Sequence, residues 1–133
     1  MATVLLASDS DHLFASVDAA LAGADVQVLR VRAGVEVVPT CSSKSPDLVL
    51  LDLQIGNMGG MATALALRQA QEYGGVDKCP IALLLDRSVD TALAHQSKVD
   101  GWLIKPLDPL RLEMLMTALT QGETYYEEPV NFG

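Results

Sequence analysis

Short apolar runs alternate with segments of helical period about five times along the chain. The apolar runs are rich in Val, Ile and Leu and lie at Val4–Ala7, Val26–Val31, Leu48–Leu51, Ile81–Leu85 and Trp102–Ile104. Continuous runs of this size, without regular polar alternation, are typical of strands buried on both faces of a parallel sheet. The pattern therefore predicts a central parallel sheet.

The segments between these runs have apolar residues at helical spacing, and most of them carry a start or stop signal. The signals are Ser10-Asp11 before the first helix, Gly74-Gly75 after the third, and Asp108-Pro109 before the last, which runs to about Thr120. A fourth, short helix is expected over residues 88–97. The second, within 34–45, is expected to be kinked or short because Pro39 lies inside it.

Repeated strand-then-helix units predict an α/β domain, a doubly wound parallel sheet with helices on both faces, over residues 1–121. Residues 122–133 show no periodicity, so we predict a mobile C-terminal tail there. The ligand site of such a sheet lies at the carboxyl ends of its strands, at the topological switch point.

Charge and composition exclude several classes of function. The 133 residues include 9 Lys and Arg against 17 Asp and Glu, a formal charge of −8, which argues against binding nucleic acid or an anionic membrane surface. The longest uninterrupted apolar run, Ile81 to Leu85, is too short to span a bilayer. Cys41 and Cys79 form no metal-ligand spacing and no disulfide framework, so we expect a reduced, cytoplasmic protein.

Three strand ends carry charged side chains that suit phosphoryl chemistry. Asp9 follows the first predicted strand, Asp52 the third and Lys105 the fifth. In a doubly wound sheet these residues converge at one edge, where two mutually repelling carboxylates favour a divalent cation such as Mg²⁺. The Lys105 ammonium would offset the carboxylate of Asp52 and contact a phosphate as a point charge. The set predicts a carboxylate that accepts a phosphoryl group.

Two passages resemble the receiver domain of two-component response regulators, and the resemblance covers about residues 3–120. PDLVLLDLQIGNMGG is similar to the family's segment around its phosphoacceptor aspartate, and GWLIKPLDP to the stretch that holds its invariant lysine. The resemblance implies a flavodoxin/CheY-like fold, with five parallel strands in the order 2-1-3-4-5 and about five helices. It also implies a cis peptide bond before Pro106.

The same resemblance implies roles for individual residues. Asp52 takes the place of the phosphoacceptor, and Lys105 that of the lysine that contacts the phosphoryl oxygens. Mg²⁺ would be bound by Asp9, Asp52 and the backbone carbonyl of Gln54. Trp102 falls on the aromatic switch position.

This chain also departs from the family's pattern. Ser8 replaces the first of two adjacent acids, which removes one negative charge and implies weaker Mg²⁺ binding, and Gly56 stands where a proline is usual. A Ser or Thr is expected at the end of the fourth strand, where counting leads to Leu85 or Leu83. Neither has a hydroxyl to bind a phosphoryl oxygen, and Asp86 beside the pocket would add repulsion.

The last helix carries a possible partner surface. Leu110 and Met114 lie opposite its apolar stripe, so we expect them to point outward. In receivers this face binds output partners and dimer mates. The resemblance therefore implies a sensor histidine kinase or another signalling protein as partner, and a possible homodimer through the last helix.

We interpret the chain as an atypical, stand-alone receiver, not an enzyme, with Asp52 as the candidate phosphoacceptor. One alternative is a phosphorylation-independent pseudo-receiver that serves as a docking module. A small phosphatase using an aspartyl-phosphate is less favoured, because Gln54 stands where such enzymes carry a second acid. A flavodoxin-like cofactor binder is disfavoured because the acidic segment 8–11 would repel phosphate.

Overall fold

The computed structural model describes residues 1–128, which form one sheet with helices on both of its faces. The strands are β1 (Ala2–Ala7), β2 (Val26–Val31), β3 (Leu48–Asp52), β4 (Ile81–Leu85), β5 (Gly101–Ile104) and β6 (Tyr125–Tyr126). The helices are α1 (Asp11–Leu21), α2 (Val37–Lys44), α3 (Gly60–Glu72), α4 (Thr91–Ala94) and α5 (Pro109–Thr120). Short 3₁₀ turns at Gly34–Glu36 and Ser88–Asp90 precede α2 and α4.

All six strands are parallel, in the order β2-β1-β3-β4-β5-β6. The predicted α/β class, the doubly wound parallel sheet and the order 2-1-3-4-5 are therefore confirmed. The predicted number of five strands is wrong, because β6 continues the sheet beyond β5. Successive strands lie on opposite sides of β1, so the switch point falls between β1 and β3.

Alternation along the buried strands divides the core into two apolar layers. Every residue of β3 and β4 is buried. Leu51 and Leu83 face the layer that contains residues of α2, α3 and α4, whereas Leu50 and Leu84 face the layer formed with α1 and α5. Because neighbouring residues of a strand point to opposite faces, helices on both sides are needed to cover these strands.

Local signals explain where the helices begin. The Ser10 hydroxyl accepts a hydrogen bond from the Leu13 amide at 3.1 Å and caps α1. Asp108 caps α5 in the same way through the Arg111 amide at 2.9 Å. Pro39 lies in the first turn of α2, where its missing N–H costs no intrahelical bond, and α2 is short, with 8 residues.

The chain after α5 differs from the predicted mobile tail over 122–133. Tyr125 and Tyr126 pair with Gly101 and Trp102 of β5, Glu127 continues along the same edge, and the Glu128 side chain lies beside His95. A strand of two residues is too short to produce a periodic pattern, which is why the sequence carried no signal for it. The last part of the predicted tail, 129–133, lies outside the described residues. Within residues 1–128, no helix has the length and apolar character needed to cross a membrane.

Candidate functional site

The residues predicted to converge lie at the carboxyl ends of β1, β3 and β5. Asp52 is the last residue of β3 and is 3% exposed, and Lys105 directly follows β5. The Lys105 Nζ atom lies 2.7 Å from the Asp52 Oδ1 atom, although the two residues are 53 positions apart. Parallel strands bring their carboxyl ends to one edge, so the topology explains this contact.

The Asp52 carboxylate is held on both oxygens. Oδ1 accepts hydrogen bonds from Lys105 Nζ at 2.7 Å and from the Gln54 amide at 3.1 Å. Oδ2 accepts a bond of 2.8 Å from the hydroxyl of Ser8, which is fully buried and itself accepts a bond from the Ser10 amide. Hydrogen bonds from an ammonium, a hydroxyl and an amide stabilise a charged carboxylate in a buried position.

Ser8 therefore has a role that the sequence analysis missed. Its substitution for an acid indicated only the loss of a negative charge, whereas the structure adds a direct hydrogen bond to Asp52. The two residues are 44 positions apart in the sequence. The sequence predicted only that both lie near the same edge of the sheet, not that they form a hydrogen bond.

Lys105 binds a second carboxylate, which corrects another expectation. Asp86 follows β4, and its Oδ1 atom lies 2.9 Å from Lys105 Nζ. The predicted repulsion by Asp86 is therefore balanced by an ion pair with Lys105. Burial disfavours the ammonium, but hydrogen bonds and attraction from Asp52 and Asp86 outweigh it and raise the pKa of Lys105. The Oδ2 atom of Asp86 is buried without a hydrogen-bond partner among residues 1–128.

Asp9 and Gln54 are exposed at the rim of the same edge. A Cβ atom placed on Gly56 would lie 3.8 Å from a carboxylate oxygen of Asp9, so Asp9 reaches the loop that follows β3. Residues 1–128 contain no group of three or more His, Cys, Asp or Glu side chains placed to hold a metal ion. The predicted metal ligands are the carboxylates of Asp9 and Asp52 and the backbone carbonyl of Gln54. All of them are hard oxygen ligands, which Mg²⁺ prefers, but only two of them are carboxylates.

The end of β4 lacks a hydroxyl group. Leu85 is its last residue, it is fully buried, and its carbonyl accepts the Lys105 amide at 2.8 Å. Leu83 lies two residues earlier, paired with Trp102 of β5, so Leu85 is the residue at the strand end. In place of a hydroxyl, an apolar side chain fills this position and Asp86 follows it.

Trp102 is held in the interior by Tyr126 and Glu127. The side chain is 2% exposed, and its indole Nε1 donates a hydrogen bond of 2.8 Å to the backbone carbonyl of Glu127. Its ring contacts those of Tyr126 and His95, with centroids at 4.4 Å and 4.8 Å. Trp102 is thus fixed by contacts that the sequence did not indicate.

Leu110 and Met114 lie at the surface of α5, 66% and 46% exposed. The Lys105–Pro106 peptide bond is cis, as the resemblance implied. Cys41 and Cys79 are buried and unpaired thiols among the described residues.

The match to known proteins agrees with this fold. The model of the response regulator receiver domain family matches residues 4–117, and the chain belongs to that family. It is therefore a receiver domain of the kind used in two-component signalling.

One relative and two solved structures illustrate the similarity. The nitrate/nitrite response regulator protein NarL of Escherichia coli K12 is 30% identical over 123 residues, which are 91% of this chain and 54% of NarL, so the chain spans about half of that relative. The chemotaxis response regulator CheY4 of Vibrio cholerae superimposes with a TM-score of 0.78 at 24% identity, over 90% of this chain and 98% of CheY4. The receiver domain of the Pseudomonas aeruginosa sensor histidine kinase PA1611 superimposes with a TM-score of 0.78 at 19% identity, over 90% of this chain and 98% of that domain's chain. That structure has a magnesium ion coordinated in the active-site cleft.

Proposed function

We propose that this receiver accepts a phosphoryl group on Asp52 and acts through protein contacts rather than as an enzyme. The single observation that carries the proposal is the 2.7 Å contact between Asp52 Oδ1 and Lys105 Nζ at the carboxyl edge of the sheet. A carboxylate oxygen of Asp52 would attack the phosphorus of a phosphohistidine. The P–N bond breaks, its electron pair stays on the imidazole nitrogen, which takes a proton from solvent, and an acyl phosphate forms on Asp52.

Lys105 is positioned to assist this transfer. Its ammonium already neutralises Asp52, and an ammonium beside the carboxylate stabilises charge on the incoming phosphoryl oxygens. Mg²⁺ would be held by Asp9, Asp52 and the Gln54 carbonyl, where it would supply further positive charge to the transferred group. Binding of the ion is expected to be weak, because Ser8 contributes a hydroxyl donor in place of a third carboxylate.

Two features make the proposed receiver atypical. Lys105 is shared between Asp52 and Asp86, so an incoming phosphoryl group has to compete for it. The apolar side chain of Leu85 also leaves that group without a hydroxyl at the end of β4. We therefore expect phosphorylation to be slow and weakly coupled to Trp102.

The proposed partners are a sensor histidine kinase or another signalling protein in the cytoplasm. A homodimer through the exposed α5 residues Leu110 and Met114 belongs to the same proposal. The formal charge of −8 disfavours nucleic acid and anionic membranes as partners.

The test is incubation of the full chain with Mg²⁺ and acetyl phosphate or beryllofluoride, with intact mass as the readout. One adduct per chain is expected, and the Asp52→Asn variant should form none. The absence of any adduct on the unaltered chain at millimolar Mg²⁺ would refute the proposal.

A phosphorylation-independent docking module is the second candidate. It is favoured because both carboxylate oxygens of Asp52 already accept hydrogen bonds, from Lys105, Ser8 and the Gln54 amide. The two functions differ in one result. If the Asp52→Asn variant binds the partner kinase as tightly as the unaltered chain, with and without acetyl phosphate, the docking function is supported.

A further inference from the structure

The outer edge of β5 is covered by the four residues 125–128, called here the C-terminal segment. The Tyr125 amide donates to the Asp100 carbonyl at 3.0 Å, and the Glu127 amide to the Trp102 carbonyl at 3.4 Å. These are the bonds of a parallel strand. An edge strand offers unpaired N–H and C=O groups, and an extended segment that adds to it satisfies them.

Gly101 makes this edge accessible to another strand. A Cβ atom at residue 101 would lie 2.4 Å from the Tyr125 carbonyl oxygen and 3.0 Å from a methyl group of Leu115. Since real Cβ contacts do not come so close to backbone atoms, the added strand can approach only because residue 101 has no side chain. The edge is therefore shaped for an extended backbone.

A carboxylate-binding pocket lies at one end of this edge. The Glu127 Oε1 atom accepts the Ile104 amide at 2.7 Å, and Oε2 accepts the Arg111 Nε at 2.6 Å. The Arg111 Nη2 atom also contacts Glu127 Oε1 and donates to the Ile104 carbonyl at 2.8 Å. A guanidinium that binds both oxygens of a carboxylate, joined by a backbone amide, forms a specific and charge-assisted site.

An aromatic position precedes the carboxylate. The Tyr126 ring stacks at a tilt on Trp102, with centroids 4.4 Å apart, and its hydroxyl donates to the Val99 carbonyl at 3.1 Å. The Trp102 indole donates to the Glu127 carbonyl. The edge therefore recognises an extended backbone, an aromatic ring and then a glutamate.

The C-terminal segment contributes little to the two apolar layers of the core. Gly122 has a φ angle of +83° and ends α5, and residues 121–124 are exposed. Within the segment, Tyr125 packs at the margin of one apolar layer, and the other three residues belong to neither layer. Release of the segment would therefore uncover Trp102 and the margin beside Tyr125, while the rest of both layers stays covered by the helices.

We propose that the outer edge of β5 is a strand-binding site for an extended acidic segment of a partner protein, and that residues 125–128 occupy it in cis. The partner's glutamate takes the place of Glu127 against Arg111 and the Ile104 amide. Charge complementarity supports this choice of partner, because the arginine fork and the amide are the donors that the site presents. The site does not require phosphate on Asp52, so it stands or fails separately from the proposed phosphoacceptor.

The chain's own C-terminal segment competes with a partner for the same edge, so a partner has to bind more tightly than this segment does. A short tether holds a ligand at an effective concentration on the order of millimolar, so an identical peptide in trans binds the unaltered chain weakly. Release of the segment removes this competition. It also frees the indole of Trp102, the single tryptophan of the chain, which gives a direct signal.

The test uses the full chain with Tyr125→Pro, which removes the amide bonded to Asp100, and with Glu127→Gln, which removes the carboxylate charge. Glu123→Gln is the matched control, since Glu123 is exposed and lies outside the segment. The probe is a fluorescein-labelled peptide with the sequence ETYYEE of residues 123–128, measured by anisotropy. A second peptide carries Gln at the place of Glu127.

We expect the Tyr125→Pro chain to bind the ETYYEE peptide about tenfold or more tightly than the unaltered and Glu123→Gln chains do. The Gln-substituted peptide and added salt should both weaken binding about tenfold. Hydrogen exchange at the Ile104 amide and the emission of Trp102 report release of the segment in the two segment variants, even if peptide binding is weak.

Three outcomes would overturn the proposal. The first is equal peptide affinity, or none, in a Tyr125→Pro chain whose Ile104 amide exchanges freely. The second is an Ile104 amide that stays protected in both segment variants, which would mean that the segment does not control this edge. The third is a concentration-dependent dimer that exchanges its own segments, which would make a second copy the partner.

Discussion

Neutralising Asp86 should make the chain less stable but better at binding a phosphoryl analogue. Asp86 and Asp52 share the Lys105 ammonium, with Nζ–Oδ1 distances of 2.9 Å and 2.7 Å. The Asp86→Asn variant keeps the shape and an acceptor for Lys105 but removes the charge. Lys105 is then free to bind the incoming group.

The structure bounds the size of this effect. Opposite charges at about 4 Å attract by about 4 kcal/mol at an effective dielectric constant of about 20. The side chains of Lys105 and Asp86 are 22% and 31% exposed, so desolvation and screening reduce the net value. A charge-assisted hydrogen bond of this kind contributes about 1.5 kcal/mol, which corresponds to about a tenfold change in an equilibrium constant.

We therefore expect the Asp86→Asn variant to lose about 1.5 kcal/mol of unfolding free energy at pH 7, measured by guanidinium denaturation followed through Trp102. The same variant should bind beryllofluoride with Mg²⁺ about tenfold more tightly, measured by intact mass and fluorescence titration. Glu113→Gln, which removes one charge from an exposed position of α5, is the control and should change neither quantity.

The stabilisation by the Lys105 ion pair depends on pH. The pKa of Lys105 is raised above its value in the unfolded chain, since the partner carboxylates outweigh burial. The ion pair therefore stabilises the fold fully below about pH 10.4, and this contribution is lost as the pH rises through the folded pKa. The stability difference between the variant and the unaltered chain should be constant from pH 7 to about pH 10 and shrink only as the pH rises through the raised pKa of Lys105. An unchanged affinity for beryllofluoride in a destabilised variant would refute competition for Lys105.

Three further predictions concern the same site and the core. Ser8→Ala should lower the unfolding free energy by about 1.5–3 kcal/mol, because a buried hydrogen bond to a charged Asp is lost, whereas Ser43→Ala on the surface should change it little. Equal denaturation midpoints for the two variants would contradict this. Leu85→Thr should cost about 1–3 kcal/mol, because it buries a hydroxyl in an apolar layer, and should increase the fluorescence response to beryllofluoride; a variant as stable as the unaltered chain would show that the hydroxyl finds a partner. Burial raises the pKa of Cys41 to about 12 and that of Cys79 to about 11, so both thiols should react with a disulfide reagent at pH 8 only as fast as the chain unfolds, and rapid labelling in native buffer would contradict their burial.

Much of the fold follows from local patterns. The run Ile81–Leu85 is a strand with the predicted bounds, because an uninterrupted apolar run has to be covered on both faces. Val26–Val31 also has the predicted bounds, but it is the outer strand beside β1, carries Gln27 and Arg30, and is only partly buried. The capping residues Ser10 and Asp108 begin helices where predicted, because each side chain bonds an amide three residues ahead. The predicted meeting of Asp52 with Lys105 follows from the parallel topology, since strands that run the same way end at the same edge.

The sequence by itself determined the sheet, its helices and the edge at which the charged residues meet. Only the tertiary structure decided how those residues pair. The Ser8 hydroxyl donates a hydrogen bond to one oxygen of Asp52, and Asp86 forms a second ion pair with Lys105. The same holds for the C-terminal segment, whose two-residue strand has no period and depends on the space beside Gly101. Hydrogen bonds and ion pairs between residues far apart in the chain depend on distances of a few tenths of an ångström. Residue patterns record burial and turns but not those distances.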